Sequence, residues 1–215
     1  MPRKIESLFL AGPAGRLEAL LEEPEEAAPK AVALVCHPHP QHGGTMHNKV
    51  VYRVARGLRR TGHVVLRFNY RGVNLSEGSY AQGEGELEDA RVALDYLRGR
   101  YPELPYTLGG FSFGSRIALR LGCGEQSSAP PTRIIAVGFP SAYRDKANLE
   151  GCVIPRVFIH STNDELGAAP DLEAIVDALP EPKRLILIDA KDHFFAGSLE
   201  RLEDEVAQLT ETRRQ

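Results

Sequence analysis

Tyr106-Thr107-Leu108-Gly109-Gly110-Phe111-Ser112-Phe113-Gly114 reads as a short strand, Tyr106 to Leu108, running through a glycine-rich turn into a helix from Phe113 to Leu121. Within it, Gly110-Phe111-Ser112-Phe113-Gly114 matches the pattern G-x-S-x-G in strand–turn–helix context. A turn this sharp brings residues two positions either side of the serine against neighbouring backbone, and glycine removes that clash. The serine then projects at the positive end of a helix. The competing reading is a glycine-rich helix start that packs closely or binds a phosphate. Against it, the stretch lacks the lysine of a P-loop and the spacing of a dinucleotide site.

Working outward, the same strand-then-helix unit recurs. Ala31-Val32-Ala33-Leu34-Val35-Cys36 is a continuous apolar run, as in a strand covered on both faces. A helix from about His47 to Arg60 follows, with Val50, Val51, Val54, Ala55 and Leu58 at helical spacing. Val64 to Phe68 is a strand and Glu86 to Arg100 a helix. Ile134 to Val137 and Val157 to Ile159 are strands, the latter followed by a helix from about Pro170 to Leu179. Leu185 to Ile188 is the last strand and Leu199 to Thr212 the last helix. Lys4 to Leu10 and Arg16 to Glu22 read as a hairpin around Ala11-Gly12-Pro13-Ala14-Gly15. The expected fold is α/β: a mostly parallel twisted sheet with an N-terminal antiparallel hairpin and helices on both faces, in one domain over residues 1–215.

Composition narrows the function. A chain of 215 residues with 42% apolar and 26% charged residues can bury a large core without disulfides or metal staples. A net charge of −3 argues against a nucleic-acid partner, whose phosphates need a basic face. Three cysteines, Cys36, Cys123 and Cys152, are odd in number and irregularly spaced, and are expected as reduced core thiols. Met1-Pro2-Arg3-Lys4 is basic, but the apolar stretch after it is broken by Glu6 and Gly12-Pro13. A signal peptide is therefore not expected, nor a membrane span, and the expected location is the cytosol.

In such sheets functional groups collect beyond the carboxyl ends of the strands. A serine hydroxyl needs a base within hydrogen-bond reach, and the base needs an orienting group. His193 follows the last strand, in Asp189-Ala190-Lys191-Asp192-His193-Phe194-Phe195, on the same edge as Ser112 and last in the order Ser…Asp…His. Asp164 follows the preceding strand, in His160-Ser161-Thr162-Asn163-Asp164-Glu165. Glu165 and Asp192 are the alternatives. Asp164 is preferred because a separate loop can approach the far ring nitrogen.

These residues, together with Cys36-His37-Pro38-His39-Pro40, Gly43-Gly44-Thr45-Met46-His47-Asn48-Lys49-Val50-Val51 and Arg67-Phe68-Asn69-Tyr70-Arg71-Gly72-Val73, carry a resemblance covering nearly the whole chain. The sequence resembles the α/β-hydrolase superfamily, and more closely the small, lidless bacterial serine hydrolases and esterases related to dienelactone hydrolases. The dienelactone enzymes use cysteine where this chain has Ser112. The resemblance implies an α/β-hydrolase fold without a lid domain and a Ser112–His193–Asp164 triad with no cofactor. Phe113, after the serine, supplies one backbone N–H to an oxyanion hole. The second comes from the loop after the strand ending near His37. There Pro38 and Pro40 have no N–H, and both His39's position and the resemblance point to His39.

Four of the seven histidines, His37, His39, His42 and His47, crowd that loop. A metal site is the sharp rival, but no Asp, Glu or Cys lies among them and the spacing fits no zinc motif. His37 is expected to fix the loop through backbone bonds, and Arg71 to tie down carbonyls of Asn69–Gly78. Only Gly138 to Pro155 separates two strands where relatives insert a lid, which predicts an open site lined by Tyr70, Phe111, Phe113, Tyr143, Phe194 and Phe195, unless these are core. The expected function is a carboxylesterase acting on small soluble acyl esters, with no nucleic acid or membrane partner and a homodimer possible. The rivals are a catalytically silent binding protein on the same fold and, within hydrolases, a peptidase or thioesterase.

Overall fold

The computed structural model describes residues 4–24, 28–124, 129–141 and 147–211. It contains one eight-stranded sheet. The strands are β1 (Ile5–Gly12), β2 (Gly15–Glu22), β3 (Ala31–Cys36), β4 (His63–Phe68), β5 (Tyr106–Phe111), β6 (Arg133–Val137), β7 (Arg156–Ser161) and β8 (Lys183–Ile188). Their order across the sheet is β1-β2-β4-β3-β5-β6-β7-β8. The β1–β2 and β2–β4 pairs are antiparallel, and every pair from β4–β3 onward is parallel. The hairpin turn is tighter than the sequence suggests, because Gly12 pairs with Gly15 and leaves only Pro13 and Ala14 between them.

The helices are α1 (Lys49–Arg60), α2 (Glu84–Arg100), α3 (Phe113–Cys123), α4 (Ala147–Glu150), α5 (Ala169–Asp177) and α6 (Leu199–Glu211). Alternate residues of the buried strands feed two cores. Ala33 and Val35 of β3 join α1 and α6 on one face. Val32, Leu34 and Cys36 join α2, α3 and α5 on the other. Each fully buried aliphatic side chain contributes about 1.5–3 kcal/mol. Asn48 caps α1 by accepting the Val50 N–H at 2.9 Å. Arg53, Arg56 and Arg60 of α1 all reach the buried Glu203 carboxylate of α6, at 3.0, 3.3 and 3.1 Å.

Two local readings are corrected. The strand Tyr106–Leu108 continues through Gly109 and Gly110 to Phe111, because β3 and β6 supply ladder partners on both sides. Glycine's weak strand preference is overridden where a strand is paired on both edges. The expectation of three reduced thiols fails for two of them. Cys123 and Cys152 have Cα atoms 5.1 Å apart and form a disulfide. That pairing depends on α4 packing against α3, a contact that linear spacing does not reveal. Cys36 is free and buried, its thiol pushed up to about 12 by burial.

Candidate active site

The register of the parallel strands aligns their carboxyl ends. Phe111 of β5 lies beside Val137 of β6, and Val137 beside Ile159 of β7. The loops after them are joined in sequence by backbone bonds: Ser112 N–H to Val137 O at 2.9 Å, Gly138 N–H to Ile159 O at 2.8 Å, and Thr162 N–H to Ile188 O at 3.0 Å. The loops carrying Ser112, Asp164 and His193 therefore leave one edge of the sheet.

Ser112 has φ 55° and ψ −121° and stands at the N-cap of α3. A left-handed non-glycine residue stores strain of about 1–3 kcal/mol, and its neighbours make it feasible. A Cβ on Gly110 would lie 2.1 Å from Gly114 O, and one on Gly114 would lie 2.3 Å from Cys36 O. The two glycines thus let the turn close on itself and let α3 dock against the end of β3. Phe113 is the first residue of α3, so its N–H has no intrahelical acceptor.

His193 is 1% exposed and donates through Nδ1 to Asp164 Oδ2 at 2.6 Å. Its ring lies against Phe111, with centroids 4.8 Å apart. It also lies over Gly138, where a Cβ would come within 3.1 Å of His193 Cε1. With Nδ1 committed to the carboxylate, Nε2 is the free basic nitrogen, and it is buried without a hydrogen-bond partner among the described residues. Burial alone would raise the Asp164 pKa. The hydrogen bond and charge of His193, the Leu166 N–H and the charge of His160 outweigh it and hold the carboxyl below its ordinary value.

The two alternative carboxylates have other partners. Glu165 accepts the backbone N–H of His193 at 2.8 Å, and Asp192 accepts the Ala196 N–H at 2.9 Å. The Asp164 and His193 loops are also stitched together by Asn163 Nδ2 donating to Ala190 O at 2.7 Å. Gly138 and His160 are parts of this constellation that the motif reading missed, and Glu165, an alternative to Asp164 in the sequence, instead holds the backbone of His193. His160 is fully buried, with Nε2 2.7 Å from Gly167 O and 3.6 Å from Asp164 Oδ2. A glycine directly after a strand beside the serine strand is the signal that could have identified Gly138.

On the opposite side, His37 is fully buried, with Nδ1 2.7 Å from Pro38 O and Nε2 accepting the Tyr70 N–H at 3.1 Å. Burial lowers its pKa to about 3, so the ring is neutral and serves the backbone on both sides. His39 follows, and its carbonyl accepts from His42 N and Gly44 N at 3.1 and 3.0 Å. Arg71 does not tie loop carbonyls as expected. Its guanidinium grips the Asp89 carboxylate through Nε and Nη2, because that fully buried carboxylate of α2 lies within reach and needs neutralising.

The aromatic lining is mostly not at the surface. Tyr70, Phe111 and Phe195 are 0% exposed and Phe113 is 1% exposed, as deeply buried as His193 itself. Phe194 is 37% exposed, lies 5.4 Å from the His193 ring and has Lys49 Nζ 5.5 Å from its own centroid. Tyr143 lies outside the described residues. Among the described residues no cluster of three or more His, Cys, Asp or Glu side chains could hold a metal ion. None of the described helices is long and apolar enough to cross a membrane.

Residues 30–213 match the family model described as alpha/beta hydrolase domain. The chain belongs to the alpha/beta hydrolase family. It is 37% identical over 201 residues to an uncharacterized protein of Rickettsia prowazekii, covering 87% of this chain and 81% of that protein. Among solved structures it is similar to an alpha-beta serine hydrolase homologue from Coxiella burnetii, with 31% identity, a TM-score of 0.89 and coverage of 95% and 96% of the two chains. It is equally similar to an alpha/beta serine hydrolase without a lid from Xanthomonas campestris, with 31% identity, a TM-score of 0.88 and coverage of 97% and 94%. Family and neighbours together support hydrolase activity and agree with the lidless fold expected from the sequence.

Proposed function

We propose that this protein is a serine hydrolase that cleaves small soluble carboxylic esters through an acyl-enzyme. The observation that carries the reading is the buried His193–Asp164 pair, whose free Nε2 belongs to a ring seated on Gly138 and Phe111, next to the strained Ser112 turn. Ser112 Oγ attacks the ester carbonyl carbon while its proton passes to His193 Nε2. The imidazolium that forms is stabilised by the Asp164 carboxylate. The carbonyl oxygen takes the negative charge and is held by the N–H groups of Phe113 and His39, each donor of this kind lowering the barrier by about 3 kcal/mol. When the tetrahedral adduct collapses, the C–O bond to the leaving alcohol breaks and that alcohol takes the proton from His193. Water then attacks the acyl-enzyme, with His193 as base, and releases the acid and Ser112. Every group used is supplied by the chain, so no cofactor enters these steps.

The test is labelling by a fluorophosphonate probe together with turnover of short p-nitrophenyl esters. Both activities are expected, and both are lost in Ser112→Ala. An intact wild-type chain that neither labels nor turns over esters refutes the reading, and labelling that survives Ser112→Ala moves the nucleophile elsewhere. Thioesters and peptide amides in the same panel separate ester cleavage from the related acyl transfers.

A further inference from the structure

Tyr80 lies between β4 and α2, far along the chain from either residue assigned to the oxyanion hole, yet its ring meets both. Its centroid is 5.0 Å from the His39 ring and 6.3 Å from the Phe113 ring, and those two rings are 5.1 Å from each other. Tyr80 Oη is 3.2 Å from His39 Nε2. His39 Nδ1 accepts the Gln41 N–H at 3.2 Å. In the neutral ring the proton is therefore on Nε2 and is donated to Tyr80 Oη. Burial raises the Tyr80 pKa, so the phenol stays protonated and neutral.

The chain around Tyr80 is itself fixed. Glu86, fully buried in the first turn of α2, accepts the Ala81 N–H at 2.8 Å and the Gly83 N–H at 2.6 Å. A rigid path therefore runs from α2 through Tyr80 to a loop that contains only one turn of 3-10 helix, Pro40–His42. We propose that Tyr80 is a positioning residue that braces His39 and Phe113 against each other and so sets the separation of the two backbone N–H groups that receive the oxyanion. The inference rests on the reading of those two N–H groups given above. A displacement of about 1 Å in such a constellation costs about a hundredfold in rate, and no motif of the sequence marks Tyr80 for this role.

The test compares wild type, Tyr80→Ala and Tyr80→Phe for ester turnover, thermal unfolding and inhibition by a trifluoromethyl ketone, whose adduct with serine carries an oxyanion. In Tyr80→Ala kcat is expected to fall about ten- to a hundredfold with KM little changed. The ketone Ki should weaken in parallel, because both report binding of the oxyanion. Tyr80→Phe keeps the ring and loses the hydrogen bond, and it should recover most of the loss. Should Tyr80→Ala fail to fold, Tyr80→Phe carries the test through a smaller, parallel change in kcat and Ki. Folded variants with wild-type kcat overturn the proposal, as does a fall in kcat with the ketone Ki unchanged. A wild-type enzyme without turnover is a different failure, since it removes the hydrolase reading itself.

Discussion

His193 Nδ1 and Asp164 Oδ2 are 2.6 Å apart, both side chains are 1% exposed, and the two residues arrive on loops from adjacent strands β8 and β7. A buried carboxylate at that distance fixes both the tautomer and the plane of the imidazole. It leaves Nε2 as the ring nitrogen able to act as a base.

Removing the charge while keeping the shape tests that fixing. Asp164→Asn should lower kcat by about 10⁴, because an amide no longer specifies the Nδ1–H tautomer or stabilises the imidazolium. Glu165→Gln should change kcat only a few-fold, since the Gln carbonyl can still accept the His193 N–H that Glu165 now accepts at 2.8 Å. Steady-state kinetics on one activated ester decides between them. A large loss in Glu165→Gln and a small one in Asp164→Asn would reverse the assignment.

Gly138 gives a sharper test of where the imidazole sits. It has φ 55°, and an added Cβ would meet Phe111 Cε2 at 2.9 Å and His193 Cε1 at 3.1 Å. Gly138→Ala should displace the ring and cut kcat about a hundredfold. Gly62→Ala is the control. Gly62 has φ 89° at the far end of β4, where the nearest contact is the flexible Lys30 side chain at 3.2 Å. Both variants carry the left-handed backbone penalty and should lose stability by about 1 kcal/mol or more. Only Gly138→Ala should lose turnover, and equal kcat in the two variants would refute the placement.

The loops of Ser112, Asp164 and His193 could be placed in the sequence because each follows an apolar run, and apolar runs are the strongest signal of a buried strand. The sheet itself was readable for the same reason. The places of Gly138 and Tyr80 were not, because their importance comes from which loops face one another across strands. Gly109 and Gly110 misled in the other direction, since local propensity says turn while pairing on both edges says strand. Tyr70 and Phe195 are both fully buried, and sequence alone does not separate an aromatic that lines a site from one that packs in the core.

Acid stability carries the mark of two buried neutral histidines. Burial lowers the His37 pKa to about 3 and the His63 pKa to about 4. Each unfolded histidine takes a proton near its ordinary value while the folded one does not. Stability is therefore full above about pH 6.5 and is lost as the pH falls toward the folded values. Each histidine should contribute a slope of about 1.4 kcal/mol per pH unit inside that window. The depressed carboxyl of Asp164 adds a loss in the same direction at lower pH. Urea unfolding from pH 7 to pH 4.5 measures the slope, and His63→Gln should flatten it by about half. A slope that is unchanged in His63→Gln contradicts the buried neutral ring.

The Cys123–Cys152 bond leads to a prediction that counts atoms. Cys36 is buried and free, so in denaturant without reductant one thiol should titrate, and after reduction three. The bond spans a sequence separation of 29 and closes a loop from the end of α3 to the segment before β7. Closing a loop of that length in the unfolded chain stabilises the folded state by about 3–4 kcal/mol. Reduction of the wild type should therefore lower the urea midpoint to that of Cys152→Ser, and reductant should leave Cys152→Ser unmoved. Ester turnover should survive in both, since neither cysteine touches Ser112, His193 or Asp164. Three titrating thiols in the air-oxidised protein would mean that the two sulfurs are neighbours without a bond, and the predicted difference in midpoint would vanish with it.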